Sequence, residues 1–220
     1  MVTESTRKKD KVSEKEIENF LMRFFYRKLF HKYENVSDTD LQLAGIDIIA
    51  DGMKIDNKAM SDPKYINNPR NTFILELWVH SETRHCEYLG WFLNPDIETT
   101  HYLFVWIPDA SVRPGTYITD SRQINKLEVM LVDKKKLHEY VSSKYSDEEL
   151  LKICKDMVAR NIERKDMWSF KTEHLRYPPC IRFSNHLQEQ PCNLVMPKSE
   201  LKKFAVKHCF VTAKAIQDIP

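Results

Sequence analysis

The chain has 220 residues, 42% of them hydrophobic and 30% charged, with a formal net charge of +2. That usage belongs to a globular protein with one sizeable core, or one domain with an appendage, and excludes fibrous and extensively disordered classes. Its four glycines, Gly45, Gly52, Gly90 and Gly115, form no GxxxxGK loop, no GxGxxG and no GxSxG elbow, which argues against nucleotide-driven motors, dinucleotide enzymes and serine hydrolases.

The charge is unevenly placed. Residues 1–110 hold 14 Lys and Arg against 18 Asp and Glu, whereas residues 111–220 hold 20 against 14. An acidic half suited to metal and a basic half suited to phosphate backbone agree with nucleic-acid work, and a solvated surface explains the imbalance equally well. Five widely spaced cysteines, with no CxxC and no secretory leader, lead to the expectation of reduced thiols and a cytoplasmic location. No run approaches the roughly 18 apolar residues needed to cross a bilayer, so no membrane association is expected.

In chain order, residues 1–12 are polar and expected to form a disordered tail. Ser13 with Glu16 makes a capping box, after which Ile17, Phe20, Leu21, Phe24, Phe25 and Leu29 recur at helical spacing toward His31 or Tyr33. Glu14 and Glu18 lie at the edges of that apolar stripe, open to an inward or a solvated position. Gln42, five residues before Asp47, either orients water or phosphate or satisfies loop backbone.

Residues 45–59 are the chemical centre of the sequence. Two short apolar strands meet at Asp51-Gly52, a dipeptide suited to the two-residue turn of a β-hairpin. In that register Ala50 faces Met53 and Asp47 faces Asp56, with Lys58 on the same face opposite Gly45. Opposed residues have Cβ atoms roughly 5 Å apart, so two acids there repel unless something positive lies between them. A divalent cation held by carboxylate oxygens meets that need, and an adjacent lysine supplies fixed positive charge or orients water.

Asp47 followed by Asp56-Asn57-Lys58 resembles the signature of the PD-(D/E)XK nuclease superfamily, the restriction-endonuclease-like fold. The resemblance covers roughly residues 13–107 and departs from the pattern at Ile46, where the superfamily name places proline. It implies that Asp47 and Asp56 bind Mg2+ or Mn2+, that Lys58 activates water, and that the preceding helix, through Glu18 or Glu14, adds an acid. It also implies DNA as the favoured substrate.

Beyond the hairpin, the Pro- and Asn-rich residues 61–71 are expected to loop across the mouth of the site. Glu76 is the one charge in the apolar strand 72–79, and either pairs with Lys58 or a metal or forms a structural ion pair. His80, His85 and Cys86 have no regular zinc spacing, and residues 81–87 have a hairpin loop's composition. Strands at 88–93 and 102–107 complete a sheet of about five strands.

In the second half a strand at 127–132 runs into a helix at 134–141, a capping box at Ser146 and Glu149 opens a helix from Asp147 to about Arg164, and a strand at 192–196 runs into a helix at 198–208. The passages 132–137 and 196–201 look like two copies of one strand-to-helix unit, with Tyr140 and Phe204 in matching places. Lys134, Lys135 and Lys136, and the group Arg160, Arg164 and Lys165, are open to phosphate contact or to solvation.

The expected architecture is therefore α/β: a central mixed sheet of about five strands flanked by helices, a restriction-endonuclease-like core over 13–110 and a C-terminal strand–helix extension over 111–220 packed on it. The expected activity is metal-dependent phosphodiester hydrolysis, with a homodimer allowed and restriction, repair and phage or mobile-element processing all open as roles. A non-catalytic binding or interaction module on the same fold and an RNA-directed nuclease are the alternatives.

Overall fold

The structure is a computed structural model that describes residues 4–81, 85–167, 179–187 and 189–220. The chain opens with a helix, α1 (Glu4–Leu21), which runs through a π-helical turn (Met22–Tyr26) into the short α2 (Arg27–Leu29). Then come β1 (Tyr33–Asn35), α3 (Thr39–Leu43), β2 (Ile48–Ala50), β3 (Met53–Ala59), β4 (Thr72–Ser81), β5 (Cys86–Leu89), β6 (His101–Ala110) and β7 (Ile124–Asp133). They are followed by α4 (Lys134–Ser142), α5 (Asp147–Ala159), β8 (Arg164–Asp166), β9 (Cys180–Phe183), β10 (Pro191–Pro197), α6 (Lys198–Leu201), β11 (Ala205–Val211) and β12 (Ile216–Asp218). No helix among the described residues is long and apolar enough to cross a membrane.

Two compact units result, each assembled from separated stretches of chain. The first takes the N-terminal residues through Arg70, Ile97–Lys135 and Lys202–Pro220. Its seven-stranded sheet has the order β1-β2-β3-β6-β7-β11-β12, parallel between β3 and β6 and antiparallel elsewhere. One sheet face carries Ile48, Ile55, Leu103, Val105, Leu127 and Val129, packed with Ile17, Phe20, Leu21, Phe25 and Tyr26 of the first helix and its π turn. The other face carries Asp56, Tyr102, Phe104, Trp106 and Met130, all buried, because side chains alternate along each strand.

The second unit takes Asn71–Asp96 and Lys136–Leu201. Its five strands, in the order β5-β4-β10-β9-β8, are all antiparallel, and α5 packs on β4 and β9. Leu75, Leu77, Leu150, Met157, Ile181 and Leu194 are buried there. Gly90 lies so close to β4 that a Cβ would stand 2.4 Å from the Glu76 carbonyl oxygen.

Several expectations are corrected. Residues 4–12 of the expected disordered tail lie in the helix Glu4–Leu21, with no Gly or Pro to stop it, and residues 1–3 lie outside the described residues. Ser13 is consequently buried inside the helix, where it caps nothing. The single sheet of about five strands becomes two sheets, because β4 finds its partner in β10, more than a hundred residues away. β6 and β7 pair across residue 110, and each unit draws on both halves of the chain. In residues 61–71, Asn67 ties the chain to β6, its N–H donating to Ile107 O at 2.9 Å and its Nδ2 to Ala110 O at 3.0 Å. The helix from Asp147 has its capping box but ends at Ala159, with Asn161 beyond it at a φ of 53°. The helix expected over 198–208 lasts only through Leu201, plus a 3-10 turn, before Ala205–Val211 inserts as β11 beside β7. In the loop 81–87, residues 82–84 lie outside the described residues.

The two strand-to-helix passages do share a device. The Lys134 N–H donates to Thr100 O just ahead of β6, and the Lys198 N–H donates to Asn71 O just ahead of β4. Each lysine thus opens a helix while closing the mouth of an antiparallel pair.

Candidate functional site

The hairpin forms in the expected register, with Ala50 opposite Met53 and Ile48 opposite Ile55. Asp51 and Gly52 turn it with φ values of 44° and 84°, and the Asp51 carboxylate accepts the main-chain N–H groups of His31 at 3.1 Å and Lys32 at 2.8 Å. Those two backbone donors hold its carboxyl below the usual range.

At the far end of β2 the ladder changes. The Asp47 N–H donates to Ile55 O at 2.9 Å, its carbonyl accepts the Val36 N–H at 2.9 Å, and its Oδ2 accepts the Asn57 N–H at 2.7 Å. A side-chain carboxylate therefore takes the place that a strand carbonyl holds elsewhere in the sheet. Because pairing stops at Ile48, Gly45 is not set across from Lys58 as expected; it packs against Ile97 and Thr99.

Asp56, 4% exposed on β3, has its Oδ2 2.9 Å from Lys58 Nζ. Burial pushes its carboxyl up to about 7. Lys58 pulls against that rise, while the Asp47 charge adds to it.

Other groups feel this pair. Tyr102 lies beside Asp56 in the β3–β6 register, and burial together with the Asp56 charge raises its hydroxyl pKa. Lys134, the first residue of α4, is half-buried and donates from Nζ to Ile97 O at 2.6 Å; burial lowers its pKa and the Asp56 charge opposes the fall. Glu14 of α1 is raised by desolvation and by Asp10, with Lys58 opposing and Asp47 reinforcing. Tyr26 is fully buried and donates to Asn57 Oδ1 at 2.5 Å.

The sequence-derived candidates fall into three groups. Asp47, Asp56 and Lys58 come together, and Lys134 joins them through Asp56. Glu18 sits on α1 with Lys15 Nζ at 3.0 Å and with Asn35 donating to it, while Gln42 donates to Val36 O at 2.8 Å, one residue pair from Asp47. Glu76 belongs to the other unit, on β4 opposite Asn193, and Lys135 and Lys136 are exposed on the first turn of α4. Sequence reasoning missed Tyr26, Asn57 and Tyr102 as neighbours of the acids. Tyr26 was indistinguishable from the aromatic stripe around it, and Tyr102 needed the parallel β3–β6 register to be placed.

Asp47 and Asp56 offer the hard oxygen donors that Mg2+ and Mn2+ take, and a divalent cation would offset the cost of ionising Asp56, which comes first from burial and then from the Asp47 charge. The donor set thus fits such an ion. Among the described residues no three His, Cys, Asp or Glu side chains form a ready-made cage, which for Mg2+ leaves water and substrate phosphate to complete the shell. In the segment of His80, His85 and Cys86, His80 Nδ1 stands 3.5 Å from Glu87 Oε1.

No protein-family model matches the chain, no curated protein matches its sequence and no solved structure matches its fold.

Proposed function

We propose that the chain is a divalent-metal-dependent phosphodiesterase whose centre is Asp47, Asp56 and Lys58, acting on nucleic acid and by preference on DNA. The observation that carries this reading is the buried Asp56 carboxyl, held against a second acid and 2.9 Å from a lysine on its own strand. Burying an acid beside a second one costs stability unless it serves to bind something positive, which makes a perturbed, buried carboxyl a functional-site candidate. The DNA preference comes from the resemblance to the PD-(D/E)XK superfamily and from the basic second half of the sequence.

In this reading Asp47 and Asp56 would hold Mg2+ or Mn2+, and the bound ion supplies charge stabilisation for the leaving oxygen. Lys58 orients the attacking water and presents positive charge to the non-bridging phosphate oxygens. Lys134, which feels the Asp56 charge, adds a second positive charge held in place by its hydrogen bond to Ile97 O. Tyr102 and the sheet face around it keep Asp56 out of bulk water, which strengthens the interactions it makes.

One observation favours a second reading. The Lys58–Asp56 ion pair already partners the buried acid, as it would in a non-catalytic binding module that kept the three residues as a structural network. Cleavage of supercoiled plasmid, single-stranded DNA and structured RNA with Mg2+ or Mn2+, comparing wild type with Lys58→Ala and Asp56→Ala, separates the two. Metal-dependent cutting lost in both variants supports the hydrolase and identifies its substrate, RNA included. Folded proteins that cut nothing, with no metal binding by wild type, support the module.

A further inference from the structure

Asn57 stands between Asp56 and Lys58 in sequence but serves the opposite face of β3. It shares that face with Ile55, which packs in the core beneath the first helix and its π turn. Two contacts converge on it: its main-chain N–H donates to Asp47 Oδ2 at 2.7 Å, and its side-chain Oδ1 accepts the Tyr26 hydroxyl at 2.5 Å.

Neither contact follows from strand pairing. Beyond the Ile48–Ile55 pair the Asp47 N–H turns to Ile55 O, leaving the Asn57 N–H to a carboxylate rather than to a strand carbonyl. A hydrogen bond to an ionised acceptor is about twice as strong as a neutral one and fixes the carboxylate's direction. Its hold on Asp47 is only as steady as the Asn57 backbone, and here the tyrosine acts. Tyr26 is the last residue of the π-helical turn, a rare element often found at functional sites, and is 0% exposed. Its ring is packed by Phe25, Phe30 and Tyr33, with centroids 5.2, 5.8 and 6.4 Å away. A phenol so confined has one place to put its proton, and that place is Asn57.

We infer that Tyr26 and Asn57 are positioning residues for the hydrolytic centre: the Tyr26 hydroxyl fixes Asn57, and the Asn57 N–H aims the Asp47 carboxylate at Asp56. The inference rests on the reading of Asp47, Asp56 and Lys58 as that centre. It adds that the first helix reaches the chemistry through a neutral relay from the core side of the sheet. Substituting residues that orient a metal ligand typically lowers activity by about 10- to 100-fold.

The test compares wild type, Tyr26→Phe, Asn57→Ala and the double variant in Mn2+-dependent plasmid cleavage, well below their melting temperatures. Amide hydrogen exchange at Asn57 is followed by NMR in wild type and Tyr26→Phe. Tyr26→Phe is expected to lower kcat by about 10-fold or more with KM for DNA unchanged, and to speed exchange at Asn57. The double variant is expected to be no slower than Asn57→Ala alone, because both act through one hydrogen-bonded path. A purely structural tyrosine would lower the melting temperature without this selective loss in kcat. Wild-type cutting matched by Tyr26→Phe overturns the inference and leaves the centre standing. Unchanged exchange at Asn57 overturns it whatever the activity. A wild type inert on every substrate removes the centre, and the inference with it.

Discussion

Replacing Asp56 with asparagine should stabilise the metal-free protein, and by an amount that depends on pH. The Asp56 carboxyl sits at about 7 in the fold, against about 3.9 in an unfolded chain. Between those values the folded state holds a proton that the unfolded state has lost, so stability falls as pH rises through the window and levels off above about 7. The difference of about 3 units, at about 1.4 kcal/mol each, amounts to roughly 4 kcal/mol at pH 8 and vanishes near pH 4. That figure already includes the attraction of Lys58, which opposes the shift. Asparagine mimics the protonated acid and escapes the penalty. Thermal unfolding with a chelator present should show Asp56→Asn melting roughly 10 °C above wild type at pH 8, the gap closing toward pH 4. A variant that melts at or below wild type at pH 8, or a gap that ignores pH, would refute the reasoning that Asp56 ionises at a cost inside the fold.

Other outcomes follow from single positions. Gly90→Ala should lower the denaturant midpoint by an amount corresponding to about 1–3 kcal/mol, since its Cβ would meet the Glu76 carbonyl oxygen at 2.4 Å; an unchanged midpoint would mean the strand and the Gly90 turn do not approach so closely. Gly52→Ala should cost about 1–2 kcal/mol in the same measurement, because the turn holds that residue at a φ of 84°. Thiol titration of the native protein should find one fast group, the exposed Cys86, with Cys154, Cys180, Cys192 and Cys209 reacting only after denaturation. Two or more fast thiols would contradict the burial of those four.

The hairpin was more legible in the sequence than the sheets around it. Asp51-Gly52 and the alternation on either side of it set the register from Ala50–Met53 to Ile48–Ile55 by local chemistry alone, while the departure at Asp47, whose N–H turns to Ile55 O, was not readable. The capping box at Ser146 was equally local and forms as read. Sheet membership is set at long range: nothing in Thr72–Ser81 says that its neighbour is Pro191–Pro197 rather than the hairpin next to it in sequence. Ala205–Val211 shows the same limit, since a segment readable as the end of a helix becomes a strand because β7 offers it an edge. Tyr26 illustrates a third kind of loss. Its apolar body placed it in the core, while its hydroxyl found Asn57 only through a π-helical turn that no periodicity marks. Lys134 was one of three surface-like lysines until the fold half-buried it beside the charge of Asp56.

The central claim, that Asp47 and Asp56 together hold a divalent cation, is tested most directly by titrating Mn2+ into wild type, Asp47→Asn and Asp56→Asn at pH 8 by calorimetry. The account predicts one site in wild type, lost in both variants. Binding that survives either substitution, or a wild type that takes up no Mn2+, would contradict it.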